Sequence, residues 1–392
     1  MKEFSLLLIG VLFLAGCGSP GVEAEDAEAD SKESIQEHYS EFPRDSSFWE
    51  QAFSKNFESD EVLNGKVYGG IIPHHLLVKD VTGSYFKLLA EHTDPEVVVV
   101  IGPNHFEQGY SILSSKYPFK SLFGYLEPEL SIINGLEKNG ILQINEKVFE
   151  EEHSITSEVS YIKKLFPEAK FVPIVLRVNV KEEDLQAIAE YLHQNLPEES
   201  LVLASVDFSH YISADAAQFH DLKSIADIES FNYPEIQNIE VDSPNSIFTL
   251  LKYLEKRGKQ DIVKFKNTNS GYYLNKLDFK ETTSYLWSYF VEGQPKARNL
   301  NTKMIFPNMK MSADEAISLL KGGENRFFRG VDEIFYYSFE DLSVESGRFF
   351  NKYGVKHLQE ESPLGNADYI LGKVEGDTKI EFKFFFPEKK ML

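Results

Sequence analysis

The sequence predicts an α/β protein, a mostly parallel sheet sandwiched between helices, with a small C-terminal α+β unit appended. Two observations carry the main part. First, four short, almost wholly apolar runs recur: residues 67–72 (VYGGII), 97–101 (VVVVI), 171–176 (FVPIVL) and 201–206 (LVLASV). A strand with one wet face alternates apolar and polar residues, so unbroken runs indicate strands buried on both faces. Second, helical patterns separate the runs. Residues 82–92 and 157–166 lie between successive runs, and residues 180–194 place Leu185, Ile188, Ala189 and Leu192 on one face. Strand–helix–strand order favours parallel pairing with helices packed on the sheet. Short strands at 271–274 and 283–291 are expected to complete it. In the C-terminal unit, Ser312 followed by Glu315 forms a capping box that opens a helix over 312–320, and residues 326–339 and 370–386 read as strands.

A chain of 392 residues exceeds the roughly 250–300 that one core usually holds, so one large domain with appendages is expected. The formal net charge is −22 and no basic stripe is present, which excludes nucleic acid as the expected partner. The single cysteine, Cys17, excludes an intrachain disulfide and a thiolate zinc site within one chain. Lys2 precedes an apolar stretch over residues 4–14 that is too short to cross a bilayer. Leu14-Ala15-Gly16-Cys17 then resembles a bacterial lipobox, a signal cut before a cysteine that becomes lipidated. The expected organisation is therefore a signal peptide (1–16), lipidated Cys17, an acidic flexible tether (17–45), a main domain (46–293), a linker (294–311) and the small unit (312–392). The expected location is extracytoplasmic, with the lipid as anchor to a bacterial membrane.

Three of the four runs end in loops that carry histidine: Pro73-His74-His75, Gly102-Pro103-Asn104-His105 and Asp207-Phe208-Ser209-His210. In an open α/β sheet, ligands bind beyond the carboxyl ends of the strands, so these histidines can converge. Imidazole is the commonest metal ligand and a base near neutral pH. His74 and His105 read either as metal ligands or as ordinary loop histidines. His75 points away from its neighbour in an extended segment, and is expected to support the cleft or face solvent. In Glu152-His153-Ser154, Glu152 suits a helix N-terminus and Ser154 an N-cap, with His153 lining the cleft. Asp207 is placed to orient a histidine, and His210 to act as base or ligand. Asp242, in Val241-Asp242-Ser243-Pro244, reads on local grounds as the cap of a following helix.

In order and spacing, Ile72-Pro73-His74, Ile101-Gly102-Pro103-Asn104-His105, Glu152-His153-Ser154, Val172-Pro173-Ile174 and Ser205-Val206-Asp207-Phe208-Ser209-His210 resemble the Memo family. Its bacterial and archaeal members are often called AmmeMemoRadiSam system protein B. The resemblance spans about residues 66–293 and implies the fold of the class III extradiol dioxygenases, with a cleft for a divalent metal, Fe(II) or copper. By motif it implies His74 and His105 as imidazole ligands, His210 as the catalytic base and Asp207 as its acidic neighbour. Two departures stand out. The family's cysteine in a Cys-Gly turn is absent, and Asp242 falls at the matching place, completing on paper a two-histidine-one-carboxylate set that suits Fe(II). Leu76-Leu77 stand where Gly-Tyr usually follows Pro-His-Ala, making one cleft wall more apolar. Two functions follow from the resemblance. One is a metal-dependent oxidoreductase of dioxygenase type acting on a small molecule. The other is a non-catalytic metal- or ligand-binding lipoprotein with a vestigial site.

Overall fold

The 97–101 run becomes the strand Val97–Pro103, the middle of a nine-stranded sheet. The computed structural model describes residues 36–297 apart from 213, 277, 278 and 280, and three later strands, Lys303–Ile305, Tyr369–Glu375 and Lys379–Phe385. Four parallel strands form the centre, in the order Gly69–Ile72, Ser200–Ser205, Val97–Pro103 and Lys170–Leu176. Antiparallel strands flank them: Thr282–Val291 beside Gly69–Ile72, and Ile112–Ser114 beside Lys170–Leu176.

The unbroken apolar run has the predicted cause. Val97, Val99 and Ile101 pack with Leu185, Ile188 and Leu192 of the helix Glu182–Asn195, and with Leu250, Leu251 and Leu254 of the helix Pro244–Arg257. Val98 and Val100 join a separate cluster with Tyr85, Phe86 and Leu89 of Lys79–His92, and with Val159 and Ile162 of His153–Leu165. Side chains alternate sides along a strand, so these two clusters lie on opposite faces of the sheet. Each such fully buried Val, Leu or Ile contributes roughly 1.5–3 kcal/mol over its exposed state.

Several expectations are corrected. Residues 270–273 are not a strand: Ser270–Tyr273 is one helical turn, because the Asn269 side chain accepts the Tyr272 N–H and caps it. The long strand Asp261–Asn269 was not foreseen, although Val263-Lys264-Phe265-Lys266 alternates as a half-buried strand should. The tether does not extend to residue 45. His38–Tyr39 pairs with Phe119–Ser121, and His38 is buried against Ser115 and Glu146, each 2.9 Å from Nε2. Of the C-terminal unit, Tyr369–Glu375 and Lys379–Phe385 form an antiparallel hairpin, with Lys303–Ile305 on the outer side of the second strand. The expected helix at 312–320, the strand at 326–339, the signal and Cys17 lie outside the described residues. Among the described residues no helix is long and apolar enough to cross a membrane.

Candidate metal centre

Parallel pairing sends the carboxyl ends of Gly69–Ile72, Val97–Pro103 and Ser200–Ser205 to one edge of the sheet, and the next residues of each chain segment meet there. His74 is 3% exposed. Its Nδ1 faces Ser205 Oγ at 3.4 Å, and its Nε2 lies 3.2 Å from Asp242 Oδ2 and 3.7 Å from Asp207 Oδ2. His105 presents Nε2 at 3.9 Å from the same Asp242 oxygen. The His153 ring stacks on His105 with centroids 4.0 Å apart and stands edge-on to His74 at 5.1 Å.

The two acids are held against each other by backbone. Asp207 N–H donates to Asp242 Oδ2 at 3.1 Å, and Asp242 N–H donates to the Asp207 carbonyl at 3.0 Å. Local sequence reads Asp242 as a helix cap, and the structure overturns that. Ser243 is the cap, its Oγ accepting the Ser246 N–H at 3.2 Å, which leaves the Asp242 carboxylate for the cleft. Glu152 does cap its helix, accepting the Ser154 N–H at 3.0 Å, so the cap is Glu152 rather than Ser154. The same carboxylate grips His105 twice, at Nδ1 (2.7 Å) and at the backbone N–H (2.8 Å). That fixes the His105 tautomer and turns Nε2 into the cleft. Glu152→Ala is expected to weaken divalent-metal binding by about 10–100-fold through loss of this support; calorimetric titration of the variant checks it, and unchanged affinity would show that the grip is structural only.

Two groups of side chains have ligand atoms mutually within 4.8 Å: His74, His105 and His153, and His74, Asp207 and Asp242. With His74 Nδ1 turned to Ser205, its Nε2 serves both, and one lone pair serves one ion. The groups are thus two sides of a single site. Two donors each ~2.1 Å from a common ion stand about 3.0 Å apart at a right angle and about 3.4 Å at the tetrahedral angle. The His74–Asp242 separation of 3.2 Å falls in this window, and the 3.7 and 3.9 Å separations lie just above it. Asp207 Oδ1 and Asp242 Oδ1 are buried without a hydrogen-bond partner among the described residues. Unpaired buried oxygens are costly, and a cation between them and the imidazoles would relieve that cost. The residues present fit a divalent metal.

Charges around the cleft are strongly coupled. Burial disfavours a charged His74, but Asp207 and Asp242 outweigh it and lift its pKa to about 10. Burial, helped by the neighbouring His74 and His105, pushes His153 down to about 4. Burial raises Asp207, whereas in Asp242 the nearby His74 overcomes burial and holds the carboxyl below the usual range. A proton on His74 therefore offsets part of the acids' charge when no cation does.

The remaining expected residues fall around this core. His75 turns away, with Nδ1 2.5 Å from the Tyr285 hydroxyl. His210 is only partly buried and belongs to neither donor group, though its charge acts on Asp207, Asp242 and His75. Sequence alone does not single out the buried Glu158, and it puts Asp221 on the solvated face of a helix, which the structure corrects. Asp221 is fully buried and receives Asn267 Nδ2 and Ser284 Oγ at 2.7 Å and Ser209 Oγ at 3.4 Å, tying down the residue before His210. Burial raises its pKa to about 7 against those hydrogen bonds.

The fold and site define an α/β protein with one histidine–carboxylate cleft at the carboxyl edge of its parallel strands. The Memo-like protein family model matches residues 37–279, and the chain belongs to that family. It is 29% identical over 218 residues to a MEMO1 family protein of Caldivirga maquilingensis, covering 53% of this chain and 74% of that one. A MEMO1 family protein of Methanococcus maripaludis is 27% identical over 240 residues, covering 57% and 82%. Among solved structures, an uncharacterized protein of Escherichia coli K12 aligns over 58% of this chain and 100% of its own, with a TM-score of 0.41 and 12% identity.

Proposed function

We propose that this Memo-family protein binds one divalent metal, Fe(II), in the His74–His105–Asp242 cleft and is a metal-dependent oxidoreductase of dioxygenase type acting on a small molecule. The single observation that carries the reading is the Asp242 carboxylate beside both imidazoles, at 3.2 and 3.9 Å. Two imidazoles and a carboxylate are the donor set of non-haem Fe(II) oxygenases, and the soft thiolate that favours Cu(I) is missing because Cys17 is the only cysteine. Such an ion, when bound, supplies positions for substrate and oxygen and polarises what binds there.

The protein's own residues do the rest. Glu152 holds His105, and the backbone bonds between Asp207 and Asp242 hold the acids. In this reading His210, which belongs to neither donor group, takes a proton from the substrate, and Asp207, whose charge acts on it, stabilises the imidazolium that results. Leu76, two residues after His74, packs on the apolar core beside the loop. We further propose that the chain is extracytoplasmic and anchored by a lipid on Cys17; Cys17→Ser should move it from the membrane to the soluble fraction.

The test of the enzyme reading is oxygen uptake by the Fe(II)-loaded protein with a panel of small aromatic diols. Uptake that His210→Ala abolishes while the metal is retained supports an enzyme. Stoichiometric metal with no uptake across the panel contradicts it and leaves a metal-binding lipoprotein.

A further inference from the structure

The segments that deliver His105 and Asp242 to the cleft are joined by side chains as well as by the sheet. His105 lies in a turn closed by the Glu107 N–H on the Asn104 carbonyl at 3.0 Å. The Asn104 side chain tightens it, Nδ2 donating to the Gln108 carbonyl at 2.7 Å. Glu107 stands in this turn at φ +51°. That left-handed conformation is unfavourable for a residue with a Cβ and persists where its surroundings enforce it. The Glu107 carboxylate makes the enforcing contacts. Oε2 receives Arg177 Nε at 3.0 Å, and Oε1 receives the Val178 N–H at 2.8 Å. Arg177 and Val178 directly follow the strand Lys170–Leu176.

The same two residues are gripped from the other side. Asn245 is 4% exposed and lies three residues after Asp242, in the first turn of the helix Pro244–Arg257. Its Nδ2 donates to the Arg177 carbonyl at 2.9 Å and to the Val178 carbonyl at 3.1 Å. Both N–H bonds of the amide thus go to one dipeptide. Arg177-Val178 is therefore held by Glu107, two residues after His105, and by Asn245, three residues after Asp242. Folding stability alone gives little reason for this arrangement. The Arg177 and Glu107 side chains are 29% and 39% exposed, and ion pairs so exposed contribute little. Ligand atoms, by contrast, must be held to within about 0.5 Å to keep an ion.

We propose that Arg177-Val178 is a clasp that fixes the spacing between His105 and Asp242, with Glu107 and Asn245 as the positioning residues of those two ligands. Glu152 sets the angle of the His105 ring, and the clasp sets how far the His105 segment stands from Asp242. The inference rests on the metal reading of the cleft.

The experiment uses the full chain and Mn(II), an air-stable probe for the Fe(II) site. Affinity is measured by calorimetric titration, and the thermal midpoint of the metal-free protein is measured in parallel. The set is wild type, Glu107→Ala, Asn245→Ala, the double variant and His74→Ala. Each single clasp variant is expected to weaken Mn(II) by about tenfold, the lower end for a group that supports a ligand. Both act through one turn, so the double variant should also lose about tenfold, instead of the roughly hundredfold of independent losses. The metal-free midpoint of Glu107→Ala should stay near that of wild type, because the pair it breaks is exposed. If Asn245→Ala does not fold, Asn245→Ser takes its place in the same cycle. Wild-type affinity in either single clasp variant overturns the proposal, and so does a double variant that loses the product of the single losses. If His74→Ala binds Mn(II) as wild type does, the metal reading itself fails, which separates the two failures.

Discussion

His74→Ala is expected to reduce divalent-metal affinity by roughly a thousandfold, about 4 kcal/mol, the share of one donor in a site worth ~10–16 kcal/mol. The effect should exceed that of any other single change, because His74 is the residue common to both donor groups. A pH dependence accompanies it. His74 holds a proton up to about pH 10 when no cation is present, so binding must displace that proton. Wild-type affinity should therefore rise about tenfold per pH unit between pH 6 and 8. The sign for the metal-free protein is the opposite. A folded-state pKa above the unfolded value means that His74 stabilises the fold fully below about pH 6.5, and that this stability is lost as pH rises toward 10. Titrations at three pH values, with and without the substitution, check both statements. A flat pH profile would show that His74 is not displaced.

Gly70→Ala should cost about 3 kcal/mol or more in folding stability, the upper range for an overpacked core. Gly70 lies in the central strand Gly69–Ile72, where a Cβ would fall 2.1 Å from the Tyr85 hydroxyl and 2.7 Å from the Ser288 carbonyl oxygen. Neither obstacle moves freely. The Ser288 carbonyl is backbone of the neighbouring strand, and Tyr85 donates to it at 3.0 Å while stacking on Tyr289 at 4.4 Å. Removing the hydroxyl should recover part of the loss, so Gly70→Ala combined with Tyr85→Phe should be more stable than Gly70→Ala alone. Chemical denaturation measures both. A single variant within about 0.5 kcal/mol of wild type, the range for an unconstrained surface site, would contradict the packing described.

The central strands and their order along the chain were legible because burial on both faces leaves an unbroken apolar run, as in Val97–Ile101. The histidine loops were legible for the same reason: where such a run stops, the chain leaves the sheet, and His74, His105 and Asp207 follow at once. The convergence of those loops was not legible, since it depends on parallel pairing between segments more than a hundred residues apart. Asp242 was ambiguous locally because Asp and Ser both cap helices, and only the fold shows that Ser243 does so. Glu158 was hidden differently. On an amphipathic helix, sequence assigns a carboxylate to the wet face, and nothing local marks one that points inward. Acidic composition likewise concealed His38, which is buried at the start of the fold.

The most direct test of the account is anaerobic Fe(II) binding to wild type and Asp242→Ala, with iron per chain counted after dialysis. The account predicts one ion per wild-type chain, and loss of that ion in Asp242→Ala under the same conditions. Full iron retention by Asp242→Ala, or a wild-type chain that takes up copper but no iron, would contradict it.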